Sequence, residues 1–388
     1  MHALVLALAL LAAQDPKPLS EQSFSELTTD DKDGGFDVSK YLLTRGAFLP
    51  VPIIITEPAV GYGGGLAAIF FHKPPFGDPD ELPPDGDESK RLQIVPRSVT
   101  FAAGGGTEEG SYFGGGGHFE AWDEGNWRLL TAAAFASPNL KYYGEGTTID
   151  LQDDPLEYRI RTSIAVVQLQ RRIVGPFFVG LRYLFLDTEV AFDDRSSTPP
   201  GRGIDGAKFE KRSAGLMLPL STDTRDSVMT PNRGVYIEVR PQFFDESFGG
   251  ETHFFKVNST AIGYIPLAPF TLGGRISADF VSGKAPFYQL PFVEMRGVPA
   301  VRYIGRKVLS AETELEYAVT PRWSLLAFGG IGKAELESSK LDDGTYVYSG
   351  GVGFRYLIAR RFGLKAGMDF AASNDDRAFY IQVGTAWR

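Results

Sequence analysis

From Leu49 to the last residue, apolar and polar side chains alternate in segments of about ten residues, separated by clusters of Gly, Asp, Pro and Asn. The pattern is clearest where Leu309, Ala311, Thr313, Leu315, Tyr317 and Val319 interleave with Ser310, Glu312, Glu314 and Glu316. Successive side chains of a strand point to opposite faces, so this strand has one lipid-compatible face and one charged face. Phe362, Leu364, Ala366, Met368 and Phe370 repeat the period, as do Phe379, Ile381, Val383 and Trp387. Counting such segments predicts sixteen strands, the first eight near 50–57, 60–72, 93–105, 111–122, 127–141, 156–173, 176–191 and 208–221. The others fall near 235–244, 251–265, 269–281, 307–319, 322–333, 346–358, 361–372 and 377–388.

A soluble sandwich has the same period with its apolar face turned inward, so alternation alone leaves both architectures open. Three further features favour a barrel. The strand number is even, as in single-chain bacterial barrels, which places both chain ends in the periplasm. The strands use up residues 49–388, leaving no second domain. The start, MHALVLALALLAAQ, carries an apolar run from Ala3 to Ala13 ending in small residues, which predicts a signal peptide over 1–14 and export. The expected fold is therefore all-β: a 16-stranded antiparallel transmembrane β-barrel of a Gram-negative outer membrane. Residues 15–48 are polar and acidic, with DDKDGG followed by a short helical stretch, FDVSKYLL. They are expected to form a short periplasmic segment that packs at the mouth of the lumen as a partial plug.

Composition narrows the chemistry. No segment approaches the ~18 to 20 apolar residues of a spanning helix. The chain has 45 Gly and 29 Phe but 5 Met and no Cys, a usage that favours strands and turns and excludes disulfides. A net charge of −9 without clustered Lys and Arg argues against nucleic acid. The four histidines, His2, His72, His118 and His253, lack metal-ligand spacing. There is no GxSxG elbow, and FGGIGKA lacks the first Gly and the Ser/Thr after Lys333 of a phosphate loop. Neither metal nor cofactor nor enzymatic activity is expected. The partners expected are outer-membrane lipid and a periplasmic or outer-membrane protein.

Two segments are more specific. In STDTRDSVMTPNRG, Asp223, Arg225, Asp226, Pro231 and Gly234 suit a charged turn: Asp and Arg can cap it, Pro fixes φ and Gly supplies positive φ. In MRGVPAVRYIGR, Arg296 and Gly297 lie mid-way along the long stretch between the eleventh and twelfth predicted strands. Their order, with three strands between, resembles the barrel of the BamA/TamA family (bacterial surface antigen superfamily), which inserts or translocates other proteins. The resemblance implies that the long loop folds into the lumen and that its Arg, here Arg296, meets acidic residues on the next strands. Glu316 in ELEY matches the first of these, and Glu312 and Glu314 point the same way. A guanidinium confined in a lumen needs such a partner. The sequence departs from the family pattern at Val298, where an aromatic follows the Gly, and at Gly330, where the thirteenth strand often has an Asp.

The final strand, AFYIQVGTAWR, is similar to the signal by which barrels are handed to their assembly machinery. Gly384 belongs to that signal, and Trp387 replaces the terminal aromatic. Family members collect substrate on periplasmic POTRA domains, and the residues between Gln14 and Leu49 are too few for one. The expectation is a barrel-only member acting in outer-membrane protein or surface-molecule export with a separate partner; the alternative is a passive channel or structural barrel. Pro50 and Pro52 in the first strand each remove a ladder donor, so a weak seam is expected between that strand and the last, near Gly384 and Trp387.

Overall fold

The computed structural model describes residues 23–45, 48–72, 98–142, 156–192, 208–335, 345–374 and 376–387. The signal peptide expected over 1–14 lies outside the described residues. Two short helices, α1 (Phe24–Leu27) and α2 (Ser39–Arg45), precede the sheet. Its first strands are β1 (Phe48–Ile55), β2 (Gly63–Phe71), β3 (Ser98–Thr107), β4 (Tyr112–Trp122), β5 (Trp127–Ser137) and β6 (Asn139–Tyr142). Next come β7 (Leu156–Val174), β8 (Phe177–Phe192), β9 (Lys208–Met217), β10 (Leu220–Asp223), β11 (Gly234–Phe244) and β12 (Phe254–Leu267). The last are β13 (Phe270–Gly283), β14 (Lys307–Ala318), β15 (Trp323–Glu335), β16 (Thr345–Ala359), β17 (Leu364–Ser373) and β18 (Arg377–Val383).

Apart from two interrupted strands, the strands pair antiparallel with their sequence neighbours in one sheet. Two breaks are made by proline, which donates no ladder hydrogen bond. Pro138 separates β5 from β6, both of which pair with β7. Pro219 lies between β9 and β10, both of which pair with β8 and β11. Of the eighteen segments two are thus continuations, which leaves sixteen staves among the described residues. The first turn differs from the sequence reading: Val60 and Gly61 donate to the Glu57 carbonyl, with Gly61 at φ 81°, so β2 starts at Gly63 rather than at Val60.

Burial separates barrel from sandwich. Apolar side chains such as Ile276 (57% exposed), Leu325 and Val352 (60%) face outward, whereas Glu312, Arg355 and Asp369 (0%) are buried. That is the polarity of a chain dissolved in lipid with a polar interior. Outward rings flank the band, including Trp122 stacked on Trp127 at the end where the turns are short. The ends of β2 and β3 that residues 73–97 connect lie at that same end.

β1 pairs with β2 from Phe48 opposite Phe70 to Ile55 opposite Gly63, and β18 pairs with β17. Among the described residues no backbone ladder joins β1 to β18. Side chains approach there instead, with Tyr62 stacked on Phe379 at 5.9 Å between ring centroids.

Candidate functional site: the lumenal clasp and the seam

The long loop 284–306, after β13, doubles back as a hairpin. Val293 donates to the Tyr303 carbonyl and Gly305 to that of Pro291, each at 2.9 Å. Val293, Met295 and Val298 pack on Val308, Ala334 and Val347 of the barrel wall. This close approach explains Gly330. A Cβ there would lie 2.8 Å from the Glu312 Cγ and 2.9 Å from the Met295 sulfur, so an acidic side chain at that position would evict the loop. Gly297, at φ 85°, donates its N–H to the Tyr380 hydroxyl at 3.0 Å, and a Cβ on it would press on Ala371 and Ala372 at 3.1 Å.

Arg296 is thereby lowered into a nest of carboxylates. Its Nη1 donates to Glu314 Oε2 at 2.7 Å and to Asp369 Oδ2 at 3.0 Å. Its Nε lies 3.7 Å from Glu312 Oε1, and its Cζ 3.6 Å above the centre of the Phe328 ring. Glu316, the acid that the resemblance pointed to, pairs instead with Lys365. Asp369 on β17 takes that place, and it also holds Arg355. Glu312 forms an ion pair with Arg275 at 2.8 Å. Asp369 was not singled out from sequence because it lies 73 residues beyond Arg296, and only barrel closure brings β17 to the loop. The ring expected after Gly297 is supplied by Phe328 and, at 5.6 Å, by Trp387.

Trp387 departs from the sequence reading. Gly384, at φ 86°, turns the chain out of β18 and into the lumen, where Thr385 donates to the Met229 carbonyl and its hydroxyl pairs with Tyr264. Trp387 is buried between Ile262 and Tyr264, and its Nε1 donates to Glu312 Oε2 at 3.1 Å. A Cβ on Gly273 would meet its ring at 2.9 Å, so the small residue makes room for it. Of the four residues assigned to the seam, Pro50 and Pro52 are on the β1 edge, whereas Gly384 and Trp387 carry the chain inward.

The loop also crosses that seam. Gly297 is tied to β18 through Tyr380, and Ala300 donates at 3.0 Å to Glu57, in the turn after β1. Burial pushes the Glu57 carboxyl above its ordinary value. The turn motif has a local geometry: Asp223 binds the Arg225 guanidinium and backbone, and Asp226 accepts the N–H groups of Asn232 and Arg233. At Gly234, φ 97°, a Cβ would strike the Thr224 carbonyl. Pro231 is buried beside Thr230, whose hydroxyl donates to Gly363 in the turn after β16.

At the short-turn end the N-terminal segment is fastened by charge. Arg322 donates to Asp33 Oδ2 at 2.7 Å and Asp37 Oδ2 at 2.9 Å and also pairs with Asp30; Arg360 shares Asp30 and Asp33. The DDKDGG stretch, read as a linker, supplies two of these acids. Leu42 of α2 packs on Ala359, Phe362 and Leu364. The hydrogen bond from Arg322 holds the Asp33 carboxyl well below the usual carboxylate range. A carboxylate so lowered contributes stability that is complete above its unfolded value and lost as pH falls through the folded one. The segment is expected to stay docked at neutral and mildly acid pH and to detach only in strong acid. Arg322→Ala should release it at neutral pH, raising protease cleavage within 23–45 by about tenfold or more. Unchanged cleavage would show that the ion pairs do not hold the segment.

Among the described residues no group of three His, Asp or Glu could hold a metal. His72 and His118 do approach, both hydrogen-bonded to the Thr100 hydroxyl.

An outward apolar wall, an ionised interior and a long loop clasped inside it define a transmembrane β-barrel of the Gram-negative outer membrane. Residues 120–294 match the Omp85 superfamily domain. BamA of Haemophilus ducreyi, in a form lacking POTRA domains 1–3, aligns at TM-score 0.58 and 9% identity over 87% of this chain and 70% of that one. CdiB of Escherichia coli aligns at TM-score 0.58 and 10% identity, and CdiB of Acinetobacter baumannii at 0.55 and 9%. Each match covers 87% of this chain, but the chain spans only 61% and 59% of those two proteins. At such identities the likeness is one of fold. No curated protein matches the sequence.

Proposed function

We propose that the barrel passes or inserts outer-membrane polypeptides or other surface molecules by opening at the seam between β1 and β18, with a separate periplasmic or outer-membrane protein delivering the substrate. The observation that carries this reading is the missing ladder between these strands among the described residues. Proline is tolerated in a strand where its absent N–H faces an unpaired edge, and β1 has two in eight residues. Opening there breaks no continuous run of backbone hydrogen bonds. It must, however, release the ties from the clasp loop to Tyr380 and Glu57, so the loop is suited to hold the seam shut until substrate arrives.

The test is a lock. Tyr62→Cys with Phe379→Cys places a thiol on each side of the seam, in the protein's own outer membrane. Oxidation should abolish the change in surface composition that distinguishes cells with the protein from cells without it, and reduction should restore it. Full function with the seam locked would refute the reading. Steady conductance of the purified barrel in a planar bilayer, unaffected by the lock, would favour a passive channel.

A further inference from the structure

The lumen carries two sets of charges, and only one of them is balanced. Around the clasp, Arg275, Arg296, Arg355 and Lys365 stand against Glu312, Glu314, Glu316 and Asp369, four against four. The opposite wall is different. The register Arg172–Phe178, Phe178–Ser221 and Ser221–Glu238 places these residues on one face of the sheet, and Asp223–Tyr236, Tyr236–Ile262, Ile262–Arg275 and Arg275–Glu312 show that this face is the lumen. The same alternation turns Arg128, Arg182 and Arg240 inward. With Arg225 this wall has five guanidiniums for two carboxylates, Asp223 and Glu238, a formal excess of three positive charges.

The excess is concentrated at the short-turn mouth. Arg128 stands 3.9 Å and Arg172 5.2 Å from the centre of the buried Phe178 ring, so two like charges share one aromatic side chain. Among the described residues neither pairs with a carboxylate. The Nε groups of Arg172 and Arg240 are buried and have no acceptor. Among the described residues Arg182 hydrogen-bonds the neutral Gln168 and forms no ion pair. Half-buried guanidiniums that outnumber their carboxylates repel one another, and the Phe178 ring offsets only part of that repulsion, an arrangement expected where a ligand supplies the missing charge.

We propose that the lumenal wall of β5, β7, β8 and β11 is a binding site for a phosphate-type anion that enters from the short-turn mouth. One carboxylate cancels one charge. A phosphate monoester carries about −1.5 to −2 at neutral pH and has three oxygens that can engage two guanidinium edges together, which suits an excess of three. The same group could come from a lipid headgroup or from a free anion. The inference stands apart from the seam reading.

The full chain in zwitterionic detergent would be titrated with inorganic pyrophosphate, with dihexanoyl phosphatidic acid, with dihexanoyl phosphatidylcholine and with a poly-glutamate peptide. Binding would be read by calorimetry and by the temperature of the heat-modifiable gel shift. Pyrophosphate or phosphatidic acid should bind and raise that temperature, and phosphatidylcholine should not. Binding of pyrophosphate would identify the phosphate group as sufficient; binding of phosphatidic acid alone would identify the lipid headgroup as the source. Arg172→Gln should weaken binding at least about tenfold while leaving the ligand-free barrel as stable as before or more so, because it relieves repulsion. Arg128→Gln provides the same pair of readouts should the first variant fail to fold. The site would be overturned by binding of poly-glutamate without binding of either phosphate probe, by binding of none, or by variants that lose ligand-free stability yet keep the pyrophosphate response.

Discussion

Arg296→Ala is expected to free the clasp loop and to destabilise the barrel by about 3–5 kcal/mol, the usual cost of removing one partner from a buried ionic cluster. Arg296 is buried and engages Glu314 and Asp369 directly, with Glu312 at 3.7 Å. Its removal leaves carboxylates facing one another and takes away the cation over the Phe328 ring. The loop's ties across the seam, Gly297 to Tyr380 and Ala300 to Glu57, are single neutral-donor hydrogen bonds, each worth about 0.5–3 kcal/mol, and the rest of its hold is the packing of Val293, Met295 and Val298 with the bonds from Gln289 to Ser213 and from Arg275 to the Glu294 carbonyl. Without Arg296 these contacts alone must oppose the conformational entropy of about twenty residues of loop. The temperature of the heat-modifiable gel shift should fall, and added protease should cut within 284–306. Glu316→Gln should do much less, because Glu316 pairs with Lys365 and touches no atom of the loop's Arg. A loop as protease-resistant as in the unaltered chain would mean that Arg296 is a passenger.

How much of this was legible beforehand follows from where each signal lies. The all-β architecture and the facing of its strands were readable, because lipid outside and polar groups inside force a period of two on every stave. The turn at Asp223–Gly234 was readable too, since capping and positive φ act within about ten residues. The clasp was readable in half: Arg296 and the Glu row are linked by a motif, whereas Asp369 and Trp387 join only when β17 and the chain end come round to meet β14. Trp387 was placed at the seam because it continues the alternation of β18, and a period says nothing about a chain that leaves its strand at a positive-φ glycine. The acidic N-terminal stretch resembled a linker because the arginines that hold Asp30 and Asp33 are remote in sequence; Arg322 lies 289 residues from Asp33. What sequence hid was contact across closure, not chemistry.

Asp369→Asn is expected to cost at least as much as Arg296→Ala, although it changes a single atom. Asp369 is fully buried and binds two cations, Arg355 through both of its oxygens and Arg296 at 3.0 Å. An orphaned carboxylate can in general neutralise itself by taking up a proton, whereas a guanidinium cannot shed one at any pH a barrel survives. Loss of Asp369 therefore leaves an irreducible charge on Arg355, which is itself buried and whose other acceptor is the carbonyl of Phe354. The penalty should again be about 3–5 kcal/mol. It should couple strongly to Arg296→Ala, since the two residues share a bond and their losses cannot add. Replacing the pair together, Arg355→Met with Asp369→Leu, removes both charges and leaves Arg296 with Glu314 and Glu312. That double variant should recover most of the gel-shift temperature, because well-packed apolar residues commonly match a buried ion pair. If Asp369→Asn and Arg296→Ala proved additive, or if the apolar pair were no better than Asp369→Asn alone, the ionic cluster would not be what anchors the loop.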